Sequence, residues 1–448
     1  MAETVRRAVV VGAGIGGLTA AVALHRRGWR VTVCERAPEP SATGAGIVLA
    51  PNALRAFEAI GFDVVRATGS AVPAAMGLRR PGGGWLHRAD TAALAARYGS
   101  PPLAVYRPAL AAGLAAALPR GVIRYGTPVT AVEPGPAAGP GGPRALRTPP
   151  ARTAAARGPS PRTASAHESL RTASAHEPAA RPAFAVTPSG RASAARTPVV
   201  RTPAGDLAAD VVVAADGIHS ALRRQHFPDH PGLRYSGETA WRAVLPAAGL
   251  PGPDAAETWG RGERFGVVPL ADGRVYVYAT AVVERGFRPE DPRAELLARF
   301  GAWHAPVPEL LARIGPAAVL QHDLYDLATP LPCRHRGRIA WLGDAAHAMT
   351  PNLGQGGCQA IEDAVVLAHL LDGGDVPEAL AAYGRARHAR TDALRVRSRR
   401  AGRIASLAHP VAVAARDLAL RATPARVARS AMDDLFDGFR LPPADRSG

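Results

Sequence analysis

The chain has 448 residues, 47% of them hydrophobic, and a formal net charge of +17 carried without a single lysine. Such a length buries a large core in two or three domains or one discontinuous one. No apolar run reaches the ~18 residues of a membrane span, so stable membrane insertion is not expected. Cys34, Cys333 and Cys358 are too few and too isolated for a disulfide framework or a zinc site. With no signal-peptide pattern at the start, the cytoplasm is the expected compartment, and no metal is expected. The arginines are scattered through Ala-, Gly- and Pro-rich sequence, as a GC-rich coding bias would place them. Nucleic acid is therefore not an expected partner.

Ala8-Val9-Val10-Val11 predicts a short buried strand, and Gly16 to Arg27 carries helical periodicity closed by Gly28. Val31 to Cys34 is a second strand with Glu35 at its tip, so the chain opens as a βαβ unit. Gly44 to Phe57 reads as a loop feeding a helix, started by Pro51-Asn52 and closed by Gly61. Residues from about 76 to 98 read as part of a cap. Arg107-Pro108 opens a helix running to Leu118, and Val122 to Val132 reads as a hairpin strand or two.

From about Pro134 to Pro198 the sequence is low in complexity, and Arg162-Thr163-Ala164-Ser165-Ala166-His167-Glu168 recurs at Arg171 to Glu177. So few large apolar residues cannot offset the entropy of ordering, which predicts a disordered insertion in a hairpin loop. Phe184-Ala185-Val186 is read as resuming the sheet. Residues 135 to 198 hold nine Arg against two Glu, so +7 of the +17 belongs to this loop.

Val211-Val212-Val213 predicts a strand before Asp216-Gly217. Alternation in Arg264 to Val268 and Arg274 to Tyr278 predicts antiparallel strands of a second, sheet-based domain. Arg338 to Leu342 is a last core strand, Gln359 to Leu371 a helix, and the tail from Tyr383 a helical packing element. The expected fold class is α/β. A discontinuous Rossmann-like domain covers 1–75, 101–133, 199–230 and 335–385, and an inserted antiparallel β-sheet substrate or cap domain covers 76–100 and 231–334. The insertion at 134–198 and C-terminal helices at 386–448 complete the chain.

Three motifs carry the chemistry. Gly12, Gly14 and Gly17 form GxGxxG between a strand and a helix, where the backbone can approach a pyrophosphate at the helix N-terminus. Glu35 stands where an acid accepts hydrogen bonds from a ribose, which favours FAD or NAD over a 2′-phosphorylated nucleotide. Ala215-Asp216-Gly217 follows a buried strand, with Ser220 and Arg223 beyond it. Gly343-Asp344-Ala345-Ala346-His347 follows another, and Pro351-Asn352-Leu353-Gly354-Gln355-Gly356-Gly357-Cys358 then opens an apolar helix. A carboxylate at Asp344 can bind a ribitol or ribose hydroxyl. The glycine-rich helix start leaves N–H groups and a positive dipole end for a negative charge, such as reduced flavin carries.

This order of motifs, with Arg107 at a helix start, resembles the single-component FAD-dependent aromatic hydroxylases, which include salicylate-hydroxylase-like and para-hydroxybenzoate-hydroxylase-like monooxygenases. The likeness covers most of residues 5 to 385 apart from the insertion. It implies that the Rossmann-like domain binds FAD, with Gly12, Gly14, Gly16, Gly17, Glu35 and Arg36 at the ADP half. Val48 and Arg107 would lie along the cofactor, and Val129 would touch the adenine side. Asp216 would serve the cofactor and the passage of NAD(P)H, Asp344 the ribityl or pyrophosphate region, and Gly354, Gln355, Gly356, Gly357 and Cys358 the isoalloxazine.

The reaction implied is hydroxylation of an aromatic or similarly electron-rich small molecule by O2, with NADH or NADPH as co-substrate, through a flavin C4a-hydroperoxide. A flavoprotein reductase or dehydrogenase without oxygen insertion is the alternative. The cofactor carries the hard chemistry, so no catalytic side chain is assigned, and His347 is read as structural. Trp241, Arg242, Phe265 and Pro351 are the candidate substrate contacts. Monomer and homodimer are both compatible with the sequence.

Overall fold

The computed structural model describes residues 5–41, 44–69, 72, 75–134, 197–249, 254–315 and 318–443. The compact unit that carries these elements runs over 1–135 and 196–448. The expected insertion, Phe184-Ala185-Val186 included, lies outside the described residues save at its ends. There Ala131–Pro134 pairs antiparallel with Pro198–Arg201, so residue 134 meets residue 198 across a ladder.

The central sheet has six strands in the order His335–Arg336, Ile339–Trp341, Val211–Ala214, Arg7–Val11, Arg30–Cys34, Ile123–Arg124. All but the first of these run parallel. The valine runs form its middle because both faces of a parallel sheet are covered, which favours continuous β-branched sequence. Helix Ile15–His25 is buried over nearly its whole length between this sheet and helix Gly356–Leu370. Its small residues permit that: a Cβ on Gly16 would stand 2.9 Å from Leu342 and 3.1 Å from Ala360.

A second, seven-stranded sheet runs Leu320–Leu327, Leu233–Pro246, Arg274–Val282, Glu263–Pro269, Ala255–Trp259, Ala75–Arg79, Trp85–Asp90. It is antiparallel except where Ala255–Trp259 meets Ala75–Arg79. Residues 75–90 thus supply the last two strands at one side of this sheet, the edge strand being Trp85–Asp90, followed by helix Thr91–Tyr98. One face, with Trp241, Phe265, Val275 and Val277, packs on helices Pro292–Phe300 and Val307–Ala312. Long helix Val376–Ala405 and helices Pro410–Ala422 and Ala425–Phe436 close the chain.

Two local expectations are corrected. Residues 122–132 do not form a hairpin: Ile123–Arg124 pairs parallel with Val33–Cys34, while Ala131–Pro134 belongs to a separate three-stranded sheet. The chain turns between them through Gly126, whose φ is +61°. The stretch read as loop from Gly44 contains a strand, Gly46–Leu49, paired antiparallel with Leu103–Tyr106. Short strands of this kind are specified by their partner more than by their own sequence.

Candidate cofactor and substrate site

The three motifs leave the C-terminal ends of three neighbouring parallel strands, Arg7–Val11, Val211–Ala214 and Ile339–Trp341. In open α/β sheets that edge is where ligands bind. The turns touch. Gly12 has φ +104°, and a Cβ there would lie 2.5 Å from the carbonyl oxygen of Ala215. A Cβ on Gly17 would collide with the carbonyl oxygen of Gly12. Glu35 fixes the loop from outside, accepting the Ala13 N–H at 2.7 Å and the Ala37 N–H at 2.9 Å. Each of its oxygens keeps a lone pair for a further donor. Arg36 beside it is exposed, and Val129 packs at the margin of the small sheet.

The second and third motifs are clamped by Arg223. It is 3% exposed, and its guanidinium donates to the carbonyls of Asp344 at 3.2 Å and Ala345 at 3.1 Å, and also to that of Ile218. Ser220 caps the short helix that carries it, accepting the Arg223 N–H at 2.8 Å. Asp216 accepts the Leu222 N–H through Oδ2, while its buried Oδ1 has no partner.

Behind the third motif lies a buried ion network that sequence reading missed. Asp363 accepts the Gly343 N–H at 3.1 Å, His347 Nε2 at 2.6 Å and Arg387 Nε at 2.7 Å. Gly343 needs that anchor because it sits at φ +57°, ψ −142°, a conformation confined essentially to glycine. Glu362 binds Arg387, Arg390, Gln359 and Asn52. Asn52 also donates to Gln355, in the glycine-rich turn itself. Burial raises both carboxyls, but the arginines and His347 overcome it and hold Asp363 and Glu362 below the usual carboxylate range. His347 is buried, with its Nε2 held by Asp363. The missing signal was long-range: Arg387 stands 24 residues from Asp363 on another helix.

Strand Gly46–Leu49 lies across the N-terminus of helix Gly356–Leu370, where Gly357 faces Ile47 and Cys358 Sγ lies 3.8 Å from the Val48 carbonyl. Gly354, by contrast, faces open space. The Cys358 thiol is fully buried, and burial pushes its pKa up to about 12. At about pH 8 it stays a thiol, and thiolate is the reactive form. Alkylation of the folded protein followed by peptide mass spectrometry should therefore label the partly exposed Cys333 and spare Cys358 until the protein is unfolded.

The second sheet turns its other face toward this region. Tyr276 packs on Gly46, where a Cβ would come within 2.6 Å of its ring. The charges of Arg242 and of Arg107, whose N–H binds the Ala45 carbonyl at 3.1 Å, act on both Tyr276 and His322. Burial, then Arg242, Arg288 and Arg107, lowers the pKa of His322. Arg264 joins the sheet to the glycine-rich turn, binding Glu238 at 2.6 Å and Asn352 Oδ1 at 2.6 Å.

Trp241 and Phe265 do not share this face. Strand side chains alternate, so Arg242 and Trp241 must point opposite ways, and Trp241 and Phe265, each 1% exposed, are core against the helices. Pro351 opens a short 3-10 turn and is exposed.

Before any similarity is considered, the residues fit a bound dinucleotide. Gly14 at the helix start has nothing within 4 Å of its would-be Cβ, Asp216 Oδ1 is buried without a partner, and the exposed Asp344 opens a helical turn. Fold and site together define an FAD-binding oxidoreductase. Residues 184–398 match the family described as FAD binding domain, and residues 7–102 match FAD dependent oxidoreductase. The aurachin C monooxygenase/isomerase of Stigmatella aurantiaca is 33% identical over 400 residues, 88% of each chain. The 3-amino-4-hydroxybenzoate 2-monooxygenase of Streptomyces cremeus is 30% identical over 427 residues, 93% of this chain and 92% of its own. The crystal structure of Klebsiella pneumoniae HpxO, complexed with FAD and uric acid, superposes with a TM-score of 0.77 at 27% identity, covering 98% of each chain. The chain belongs to the family of FAD-dependent monooxygenases that includes the aromatic hydroxylases.

Proposed function

We propose that this monooxygenase takes electrons from NADH or NADPH and inserts one atom of O2 into an electron-rich aromatic or heteroaromatic ring bearing an acidic or enolic oxygen. The balance is one nicotinamide hydride, one proton, O2 and substrate giving oxidised nicotinamide, water and a hydroxylated ring. FAD, when bound, supplies the electron relay and the activation of oxygen. Gly12, Gly14, Gly16, Gly17, Glu35, Arg36 and Val129 would hold its ADP half, with Asp216 and Asp344 at the centre and Val48, Arg107 and Gly354 to Cys358 along the ring system. The N-terminus of helix Gly356–Leu370 offers free N–H groups and a positive dipole end to negative charge there.

The observation that carries the substrate class is the placement of Arg242, Tyr276 and His322 on one face of the second sheet, with the charge of Arg107, at the start of helix Arg107–Ala116, acting on the same groups. A guanidinium binds an ionised ring oxygen or carboxylate by charge-assisted hydrogen bonds and orients the ring. His322, its pKa lowered, is neutral at pH 7 and can accept a proton from a ring hydroxyl through an imidazole nitrogen.

A screen of phenols, hydroxyquinolines and purines for accelerated NAD(P)H consumption, followed by product mass, tests this reading. The expected product carries one added oxygen; accelerated consumption with an unoxygenated, reduced product would replace it with the reductase alternative. Arg242→Gln should raise KM for the active ring about 10- to 100-fold, the cost of ~1.5–3 kcal/mol for a hydrogen bond to a charged group, and leave FAD content unchanged.

A further inference from the structure

Helix Pro410–Ala422 turns apolar side chains to solvent and buries a charged one. Val411 and Leu418, 70% and 69% exposed, are the most exposed large hydrophobic side chains among the described residues, whereas Arg416 on the same helix is 5% exposed. Arg416 is turned into the protein, donating to the carbonyls of Gly260 at 3.2 Å and Ala405 at 3.1 Å and pairing with Asp417 at 2.8 Å. Its guanidinium also lies 5.5 Å from the Trp259 ring centre.

The outward residues Val411, Ala414, Ala415, Leu418 and Ala422 recur at steps of three and four, so they form one apolar stripe, and all are exposed. The apolar surface continues past the helix start. A Cβ on Gly262 would touch both Ala408 and Val282, and Val282 is itself 51% exposed.

Basic residues surround the stripe in sequence. Arg400, Arg403, Arg421 and Arg426 are all exposed. The acids near these arginines are engaged by other partners: Asp417 by Arg416, Asp433 by Arg97 and Arg429, and Asp434 by Arg397. An apolar stripe flanked by uncompensated arginines is the composition of a helix that lies in a lipid interface. We infer that helix Pro410–Ala422 docks this enzyme on an anionic lipid surface.

A second copy of the chain is the weaker occupant. A 13-residue helix is about 20 Å long, and a stripe of about 10 Å width offers on the order of 200 Å², against ~800 Å² per partner in a stable complex. Self-association would also bring like-charged arginines together, whereas anionic headgroups complement them.

The test is cosedimentation of the full-length, FAD-loaded protein with vesicles of phosphatidylcholine alone or of phosphatidylcholine with phosphatidylglycerol. The protein should pellet with the anionic vesicles and not the neutral ones, and less so as salt rises. Val411→Ser with Leu418→Ser should lower the partition about tenfold or more, and Arg421→Gln about fivefold, the equivalent of ~1 kcal/mol per arginine at such a surface. Melting temperature and flavin absorbance should stay unchanged in all variants. No pelleting, equal pelleting on neutral vesicles, or undiminished pelleting of the double variant would overturn the inference. So would a solution dimer that the double variant dissolves.

Discussion

Gly14→Val should leave the apoprotein folded and weaken FAD binding by on the order of 100-fold or more. A Cβ at position 14 meets nothing within 4 Å, and Gly14 has an ordinary extended backbone, φ −71° and ψ 174°, that valine adopts without strain. The space it would fill is the one at the start of helix Ile15–His25, where backbone N–H groups are free for an anion. Losing two hydrogen bonds to a charged phosphate costs about 3 kcal/mol or more, hence the factor. Gly17→Ala is the contrasting control. Its Cβ would strike the Gly12 carbonyl, a backbone atom, so the apoprotein itself should lose stability. Apoprotein melting and flavin-fluorescence titration separate the cases. Tight FAD binding by Gly14→Val would remove the pyrophosphate from this turn.

Asp363→Asn should cost the apoprotein about 3–5 kcal/mol, because it breaks a buried ion pair and leaves the buried Arg387 guanidinium partly uncompensated. The pH dependence fixes the sign. Asp363 has a depressed pKa in the folded protein, so its contribution is complete above the unfolded carboxyl value of about 3.9 and is lost as pH falls toward the folded value. Wild type should therefore lose stability on acidification below about pH 5. The variant should lose it with a shallower slope, the remaining part coming from Glu362. Combining Asp363→Asn with Arg387→Met should cost less than the sum, with a coupling of ~1–3 kcal/mol, since the orphaned charge is removed as well. FAD affinity should fall about tenfold, as the Gly343 N–H loses a charged acceptor and the turn presenting Asp344 loosens. Unchanged apoprotein stability on acidification from pH 5 to about pH 2 would contradict the buried pair.

Much of the first sheet was legible because its signals are local. A valine run and a glycine turn declare a strand and a tight strand-to-helix turn within one short segment, with Glu35 at the tip of the next strand. The same local signal marked Asp216 and Asp344 as strand-end carboxylates. Trp241 and Phe265 were misplaced for a related reason. Alternation shows that neighbours on a strand face opposite ways, but it does not say which face meets the cofactor region and which meets helices 292–312.

The sequence by itself determined the α/β class, the FAD-type turn, the order of the motifs and the antiparallel character of the second sheet, because each follows from periods of two or three to four residues and from glycine's backbone freedom. Only the tertiary structure decided that three turns far apart in sequence touch one another, that Asp363, His347 and Arg387 hold the Gly343 turn, and that Trp241 packs on helices while Arg242 lies on the opposite sheet face. It also decided which side of helix Pro410–Ala422 meets solvent. These are pairings between residues tens to hundreds of positions apart, fixed by burial and by satisfying charge away from water, and no local pattern encodes them.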